Sequence, residues 1–144
     1  MFFQTIYCTT YLIFEKIISE LSQSPKVAVV ILNWNGRKHL EQFLPSVTAS
    51  TYDNFEVIVT DNGSTDDSLS FLQQQYPHIK TILFKENYGF AKGYNKALAQ
   101  VTADYYVLLN SDVEVQPGWL KPMVELLEKD RSIAACQPKI LSWH

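Results

Sequence analysis

The sequence contains little cysteine, little glycine and no excess of positive charge. Its 144 residues include two cysteines, Cys8 and Cys136, and five glycines, and the net charge is −3. Because the cysteines lie far apart and no C-x-x-C spacing occurs, a disulfide scaffold and a zinc–cysteine site are both disfavoured, and the count suits a reducing cytosol. The lack of a basic field argues against a nucleic-acid partner.

Two glycine-rich phosphate-binding motifs are missing as well. A dinucleotide fingerprint requires G-x-G-x-x-G after the first strand, where this chain has N-W-N-G at positions 33–36. The P-loop pattern G-x-x-x-x-G-K-[ST] occurs nowhere in the sequence. An alternative way to hold a diphosphate is a divalent cation that bridges it to a carboxylate.

No apolar run is long enough to cross a bilayer. The first 24 residues are apolar, but polar side chains interrupt the stretch of about 20 apolar residues that spanning requires. No positive charge precedes the run and no small-residue cleavage site follows it, which argues against a secretory signal. Phe14, Ile17, Ile18 and Leu21 have helical spacing, so residues 1–24 are predicted to form a helical extension. Packing on the domain is favoured for this helix, and peripheral membrane contact is the alternative.

From Lys26 onward, apolar runs rich in β-branched residues alternate with helical periods. Continuous runs of this kind are typical of strands buried on both faces of a parallel sheet. The strands are predicted at 27–32, 55–60, 79–84, 105–109 and 133–136. Alternation of strands and helices every ~25 residues predicts βαβ units, and therefore an α/β fold with a mostly parallel sheet and helices on both faces.

Polar residues follow each of the first four predicted strands. They occupy positions 33–36, 61–64, 86–89 and 110–112. In open sheets of this kind, ligands bind beyond the carboxyl ends of the strands, so the four loops are expected to form one ligand cleft.

Two acids in these loops, Asp61 and Asp112, each allow two interpretations. Asp112 is either a turn residue or a ligand for Mg²⁺ or Mn²⁺, which use one or two carboxylates together with phosphates. Residues 64–67 are interpreted as the cap and first turn of a helix. Asp61 lies before them, where a carboxylate can accept a hydrogen bond from N3–H of a pyrimidine. Trp34 offers a flat apolar face to the same base, so the pair describes a pyrimidine nucleotide pocket.

Four stretches carry a family resemblance. In chain order they are VAVVILNWNGRKHLEQFLPSV, VIVTDNGSTDDS, ENYGFAKGYNKAL and YYVLLNSDVEVQPGWL. They resemble the N-terminal, nucleotide-binding half of a family 2 glycosyltransferase with the GT-A fold, in particular rhamnosyltransferase-like members that build surface polysaccharides. The resemblance implies a Rossmann-like GT-A domain at 25–144 in a cytoplasmic protein, with a possible place at the inner face of the membrane.

The activity that the resemblance implies is metal-dependent, inverting sugar transfer. The donor would be a UDP- or dTDP-sugar, the acceptor a saccharide or a lipid-linked molecule, and the cofactor Mg²⁺ or Mn²⁺. The catalytic base is expected beyond His144, so the domain is expected to be truncated. A non-catalytic nucleotide-sugar-binding fragment that lacks the acceptor half remains the alternative function, and a nucleotidyltransferase is a more distant one.

The resemblance also assigns residues to the site. Its metal-binding acid is Asp112, because Asn110 stands where the D-x-D motif has its first aspartate, and Glu114 is a weaker candidate. The implied substrate-binding residues are Asn33, Trp34, Asn35, Asp61, Gly89, Asn95, Asn110, Ser111 and Asp112. Among them, Gly89 and Asn95 lie in the segment that approaches the phosphates and sugar of the donor.

Overall fold

The computed structural model describes residues 24–142. Its elements are β1 (Val27–Asn33), α1 (Arg37–Thr48), β2 (Phe55–Asp61), α2 (Ser68–Gln75), β3 (Lys80–Leu83), α3 (Phe90–Leu98), β4 (Tyr105–Asn110) and α4 (Leu120–Lys129). The helix predicted within residues 1–24 lies outside the described range except for Ser24. None of the helices between residues 24 and 142 is both long and apolar enough to span a membrane.

The four strands form one parallel sheet in the order β3-β2-β1-β4. The central strand β1 pairs Val27 with Phe55 on one side and with Tyr105 on the other. It occupies this position because its side chains are apolar on both faces, and Val27 to Val30 are all buried. The parallel α/β sheet predicted from the sequence is confirmed.

Helices cover the two faces of the sheet unequally. Three of them, α1, α2 and α4, pack on the face that contains Val29 and Ile31, where a fully buried leucine such as Leu40 contributes about 1.5–3 kcal/mol. The other face contains Val30 and is covered by α3 through Tyr94 and other residues. On this face two side chains of β4 remain partly uncovered: Tyr106 is 42% exposed and Leu108 is 50% exposed.

The fifth predicted strand is wrong. Residues 133–136 have no regular secondary structure, and within the described range β4 pairs only with β1. An apolar run becomes a strand only where a neighbouring strand takes up its backbone hydrogen bonds. This short segment instead contacts α4, where the Cys136 Sγ lies 4.0 Å from the Met123 carbonyl oxygen.

Candidate functional site

The strands bring the predicted site residues to one edge of the sheet. Asn33 and Asp61, the last residues of β1 and β2, are register partners, and Leu32 of β1 pairs with Asn110 of β4. Gly89 is the N-cap of α3 and lies at the same edge. Asn95 lies farther along that helix, about 9 Å from Gly89 at 1.5 Å per residue. The four loops therefore meet, whereas Asn95 stands back from the edge.

The ends of β1 and β2 are joined by buried side chains. Asn33 is fully buried, and its Nδ2 donates to Asp61 Oδ2 at 3.2 Å and to Ser64 Oγ at 3.3 Å. Asp61 is 1% exposed, and its Oδ1 accepts from the Ser64 N–H at 2.9 Å. The Asp61 carboxylate thus holds the loop that follows it, and each oxygen keeps a lone pair for one more donor.

A second set of bonds connects the loops themselves. The Asn35 N–H donates to Ser64 Oγ at 2.9 Å, and the Asn35 Oδ1 accepts from the Thr65 N–H at 2.8 Å. The Arg37 N–H, at the start of α1, donates to Asp66 Oδ2 at 3.1 Å. We call this network the β1–β2 clamp. It consists of Asn33, Asn35 and Arg37 on the β1 side, with Asp61, Ser64, Thr65 and Asp66 on the β2 side.

The clamp changes the role predicted for residues 64–67. The helix α2 begins at Ser68, later than the sequence suggested, and Asp66 Oδ1 accepts from the Ser68 N–H at 3.1 Å. Ser64 is therefore a loop-to-loop contact and not a helix cap. Burial raises the pKa of Asp66, but hydrogen bonds from Ser68 and from the Arg37 backbone outweigh it, so this pKa lies below its ordinary value.

Trp34 stands between two residues of the clamp and is itself 57% exposed. Its indole forms no hydrogen bond and no ring contact with the rest of the described chain. Large aromatic side chains usually gain stability from burial, so the exposed indole leaves a flat apolar face open at this edge of the sheet.

The loops after β2 and β3 are also joined, and Asn62 joins them. Its Nδ2 donates to Asn87 Oδ1 at 2.9 Å and to the Gly89 carbonyl at 3.2 Å, while its Oδ1 accepts from the Tyr88 N–H at 3.0 Å. Asn62 was not among the site residues predicted from the sequence. Its position directly after β2, and directly before a glycine that favours a tight turn, is the feature of the sequence that could have indicated this role.

Gly63 allows these two loops to approach closely. Its φ is +77°, and a Cβ at this position would lie 2.6 Å from the Glu86 carbonyl carbon. No side chain fits there without displacing backbone atoms, so glycine is required.

Two lysines of α3 contact the ring of Tyr88. The Nζ atoms of Lys92 and Lys96 lie 4.8 Å and 4.5 Å from the ring centroid of Tyr88. Cation–π attraction of this kind holds long lysine side chains against the aromatic face. Both ammonium groups are therefore held at the ring of Tyr88, the residue before Gly89.

The loop after β4 differs from the other three. Asn110 and Asp112 are exposed, and neither they nor Ser111 form a side-chain hydrogen bond within residues 24–142. Nearby, the Asn33 Oδ1 is buried without a partner. A Cβ at Gly36 would lie 2.2 Å from that oxygen and 3.3 Å from the Ser111 Oγ, so the loops after β1 and β4 meet at this glycine.

The chemistry of the open loop fits a hard divalent cation that shares its ligands with a phosphate. The Asp112 carboxylate has no competing partner among the described residues. No group of three or more His, Cys, Asp or Glu side chains capable of holding a metal occurs between residues 24 and 142. One carboxylate with additional oxygen ligands suits Mg²⁺ or Mn²⁺, because these ions readily complete their shell with water and phosphate oxygens.

A parallel sheet with the order 3-2-1-4 and a polar cleft at its carboxyl edge defines a Rossmann-like, nucleotide-binding class of α/β domain. Within this class the chain belongs to glycosyl transferase family 2, whose family model matches residues 28–141. The family inferred from the four sequence motifs is confirmed.

Two curated relatives illustrate the match. A glycosyltransferase of Haemophilus influenzae, described as uncharacterized, is 31% identical over 118 residues, which are 80% of this chain and 36% of the relative. The N-acetylglucosaminyl-diphospho-decaprenol L-rhamnosyltransferase of Mycobacterium tuberculosis is 27% identical over 123 residues, which are 78% of this chain and 40% of the relative. The chain thus spans about two fifths or less of their length.

Solved structures show the same fold. S. aureus TarS 1–349 in complex with UDP-GlcNAc matches with a TM-score of 0.65 and 25% identity, covering 72% of this chain and 31% of TarS. The mannosyltransferase PcManGT from Pyrobaculum calidifontis, in complex with GDP-Man and Mn²⁺, matches with a TM-score of 0.57 and 26% identity, covering 65% of this chain and 29% of PcManGT. The sheet is therefore the nucleotide-binding part of a GT-A glycosyltransferase fold.

Proposed function

We propose that this chain forms the donor half of a metal-dependent, inverting glycosyltransferase that uses a UDP- or dTDP-sugar. The observation that carries the proposal is the arrangement of the sheet edge. An exposed Trp34 stands on the β1–β2 clamp, and across β1 from Asp61 lies the free carboxylate of Asp112. A nucleoside diphosphate needs a flat base site and an anchor for its phosphates, and this edge supplies both.

The base is assigned to the side that contains Trp34 and Asp61. The indole face can stack on a pyrimidine, and the Asp61 carboxylate has lone pairs left to accept its N3–H. Because Asp61 is 1% exposed, this contact requires a small opening of the loop above it. The UDP-GlcNAc complex of TarS supports a uridine donor.

The diphosphate is assigned to the side that contains Asp112. Asn110, Ser111 and Gly89 line the same edge. Lys92 and Lys96 follow Gly89 closely in the sequence. The Mn²⁺ in the PcManGT complex supports the use of a divalent cation. Such a cation, when bound, acts as a Lewis acid that stabilises the negative charge on the departing diphosphate.

The acceptor hydroxyl must attack the anomeric carbon from the face opposite to the diphosphate, and it needs a general base. Within residues 24–142, the acids of α4 do not suit this role. Glu128 accepts a hydrogen bond from Tyr105, the first residue of β4, and this residue lies at the opposite edge of the sheet. We therefore assign the base, and the wall that binds the saccharide or lipid-linked acceptor, to a part of the protein beyond His144.

Calorimetry and a transfer assay test the proposal together. We expect UDP or dTDP to bind in Mg²⁺ or Mn²⁺ and to bind much more weakly in EDTA, whereas ADP binds poorly in both. The 144-residue chain is expected to transfer little sugar to a panel of saccharide acceptors. Equal binding of ADP and UDP would contradict the base site. Robust transfer that is lost in Glu114→Gln would place the base within this chain.

The alternative is a nucleotide-sugar-binding fragment without turnover that lacks the acceptor half. A longer protein that begins with this sequence and transfers sugar would reject that alternative. Absence of transfer by such a protein, with donor binding intact, would support it.

A further inference from the structure

Asn35 has an unusual backbone conformation. With a φ of 50°, it is the single non-glycine residue with positive φ among residues 24–142. Side chains of L-residues are disfavoured there, although asparagine tolerates the conformation better than most. A residue remains in such a conformation only when its surroundings hold it there.

The surroundings that hold Asn35 are all in the loop after β2. Its N–H donates to Ser64 Oγ at 2.9 Å, and its Oδ1 accepts from the Thr65 N–H at 2.8 Å and from the Asp66 N–H at 3.3 Å. The Oδ1 is therefore occupied by protein donors. A direct polar contact between this oxygen and a ligand would compete with bonds that fix the loop.

The residue that lies between these fixed points is Trp34. On one side of it, Asn33 is bonded to Asp61 and Ser64; on the other, Asn35 is bonded as above. The indole forms no hydrogen bond or ring contact of its own within the described chain. Its orientation is therefore set in part by the backbone that the two asparagines hold.

We propose that Asn35 is a positioning residue that orients the indole of Trp34 before any ligand arrives. Its side chain ties the strained backbone to the β2 loop, and the strained backbone sets the direction of the neighbouring side chain. A pre-oriented aromatic face lowers the cost of binding a planar ring, because less freedom is lost on association. The identity of that ring as a pyrimidine rests on the function proposed above.

Fluorine NMR of the full 144-residue chain labelled with 5-fluorotryptophan tests this role without a ligand. The chain has three tryptophans, and Trp→Phe changes at 34, 119 and 143 assign the three signals. Trp119 serves as an internal reference, because its indole N–H donates to Ser50 Oγ at 2.9 Å, away from the clamp.

Asn35→Gly is the main variant, because glycine accepts a positive φ but removes the side-chain bonds. We expect the Trp34 signal to shift towards that of free 5-fluorotryptophan, with the Trp119 signal unchanged. Asn35→Asp is the matched control: it keeps an acceptor oxygen and should leave the Trp34 signal close to its original position. An unmoved Trp34 signal in Asn35→Gly would overturn the proposal. A simultaneous shift of the Trp119 signal would also overturn it, because the effect would then be global.

Titration with UDP and Mg²⁺ separates this inference from the proposed function. If the freed indole is correctly oriented about a tenth of the time, Asn35→Gly should bind UDP about tenfold more weakly. A Trp34 signal that does not respond to UDP in the unmodified chain would contradict the base site, while the ligand-free spectra would still decide the role of Asn35. Equal UDP affinity in both proteins, with a responsive Trp34 signal, would show that the orientation does not matter for binding.

Discussion

The site has two sides that are built differently. On the clamped side, the loops after β1, β2 and β3 are tied by the β1–β2 clamp and by Asn62, and the polar atoms bond mainly to one another. On the open side, residues 110–112 form no side-chain hydrogen bonds within the described chain. The polar side chains of the clamped side are therefore already hydrogen-bonded to one another. Those of the open side are available to a ligand, a cation or another part of the protein.

This difference leads to a rule that mutations can test. A change on the clamped side should alter the free energy of unfolding, because it leaves buried donors or acceptors unpaired. A change on the open side should alter ligand binding and leave stability nearly unchanged, because the side chain has no protein partner to lose.

The largest effect is expected for Gly63→Ala. The new Cβ would meet the Glu86 backbone at 2.6 Å, and the φ of +77° would be strained as well. We expect the free energy of unfolding to fall by about 3 kcal/mol, the range of a strained φ combined with overpacking. Urea denaturation measures this. Gly118→Ala is the control, because a Cβ there meets nothing within 4 Å. Equal stability of the two variants would contradict the close approach.

Asp112→Asn should show the opposite behaviour. We expect the affinity for UDP in Mg²⁺ to fall by about 1.5–3 kcal/mol, the usual worth of an interaction with a charged group. The free energy of unfolding should change by less than about 0.5 kcal/mol. Calorimetry and urea denaturation give the two values, and Glu125→Gln, on α4, is the control for loss of an exposed charge. Undiminished UDP affinity would remove Asp112 from the metal site.

Asp61→Ala should affect both quantities. It removes the acceptor of the Ser64 N–H and leaves the buried Asn33 amide with Ser64 Oγ alone, so stability should fall by about 1–3 kcal/mol. If the carboxylate also reads a pyrimidine, the affinity for UDP should fall by about 1–3 kcal/mol, whereas ADP should bind poorly before and after the change. Asp61→Asn is the matched control, because it keeps the shape of the side chain and one acceptor oxygen. Reduced stability with full UDP affinity would leave Asp61 a structural role alone.

The smallest effect is a pH dependence of the clamp. The pKa of Asp66 is lowered in the folded protein, so its ionised form stabilises the fold above the unfolded pKa, near 3.9 for Asp, and this stabilisation is lost as the pH falls through the folded value. The stability difference between the unmodified chain and Asp66→Asn should therefore be present at neutral pH and shrink on acidification. A stability difference that grows at low pH would contradict a lowered pKa of Asp66.

Much of the fold could be predicted from the sequence, because it depends on local pattern. The run at 27–32 is apolar on both faces, and this alone predicts a central parallel strand and places the polar loops at its carboxyl end. The segment at 133–136 is also entirely apolar, but its secondary structure depends on a pairing partner that local pattern does not specify.

The clamp could not be predicted, because its partners are distant in the chain. Asn35 and Ser64 are 29 residues apart, and Asn33 and Asp61 are 28 apart. A polar residue at a strand end is equally compatible with binding a ligand and with holding a neighbouring loop. Asn33 illustrates this: it was expected to contact the substrate, and its side chain is fully buried against Asp61.

The position of β4 has a practical consequence for work with this chain. Within residues 24–142 the outer edge of β4 is unpaired, and the strand exposes the side chains of Tyr106 and Leu108. An open strand edge with apolar side chains is a template for pairing with another molecule. We therefore expect this strand to favour self-association of the chain at high concentration, and dilute samples are the condition in which to measure ligand binding.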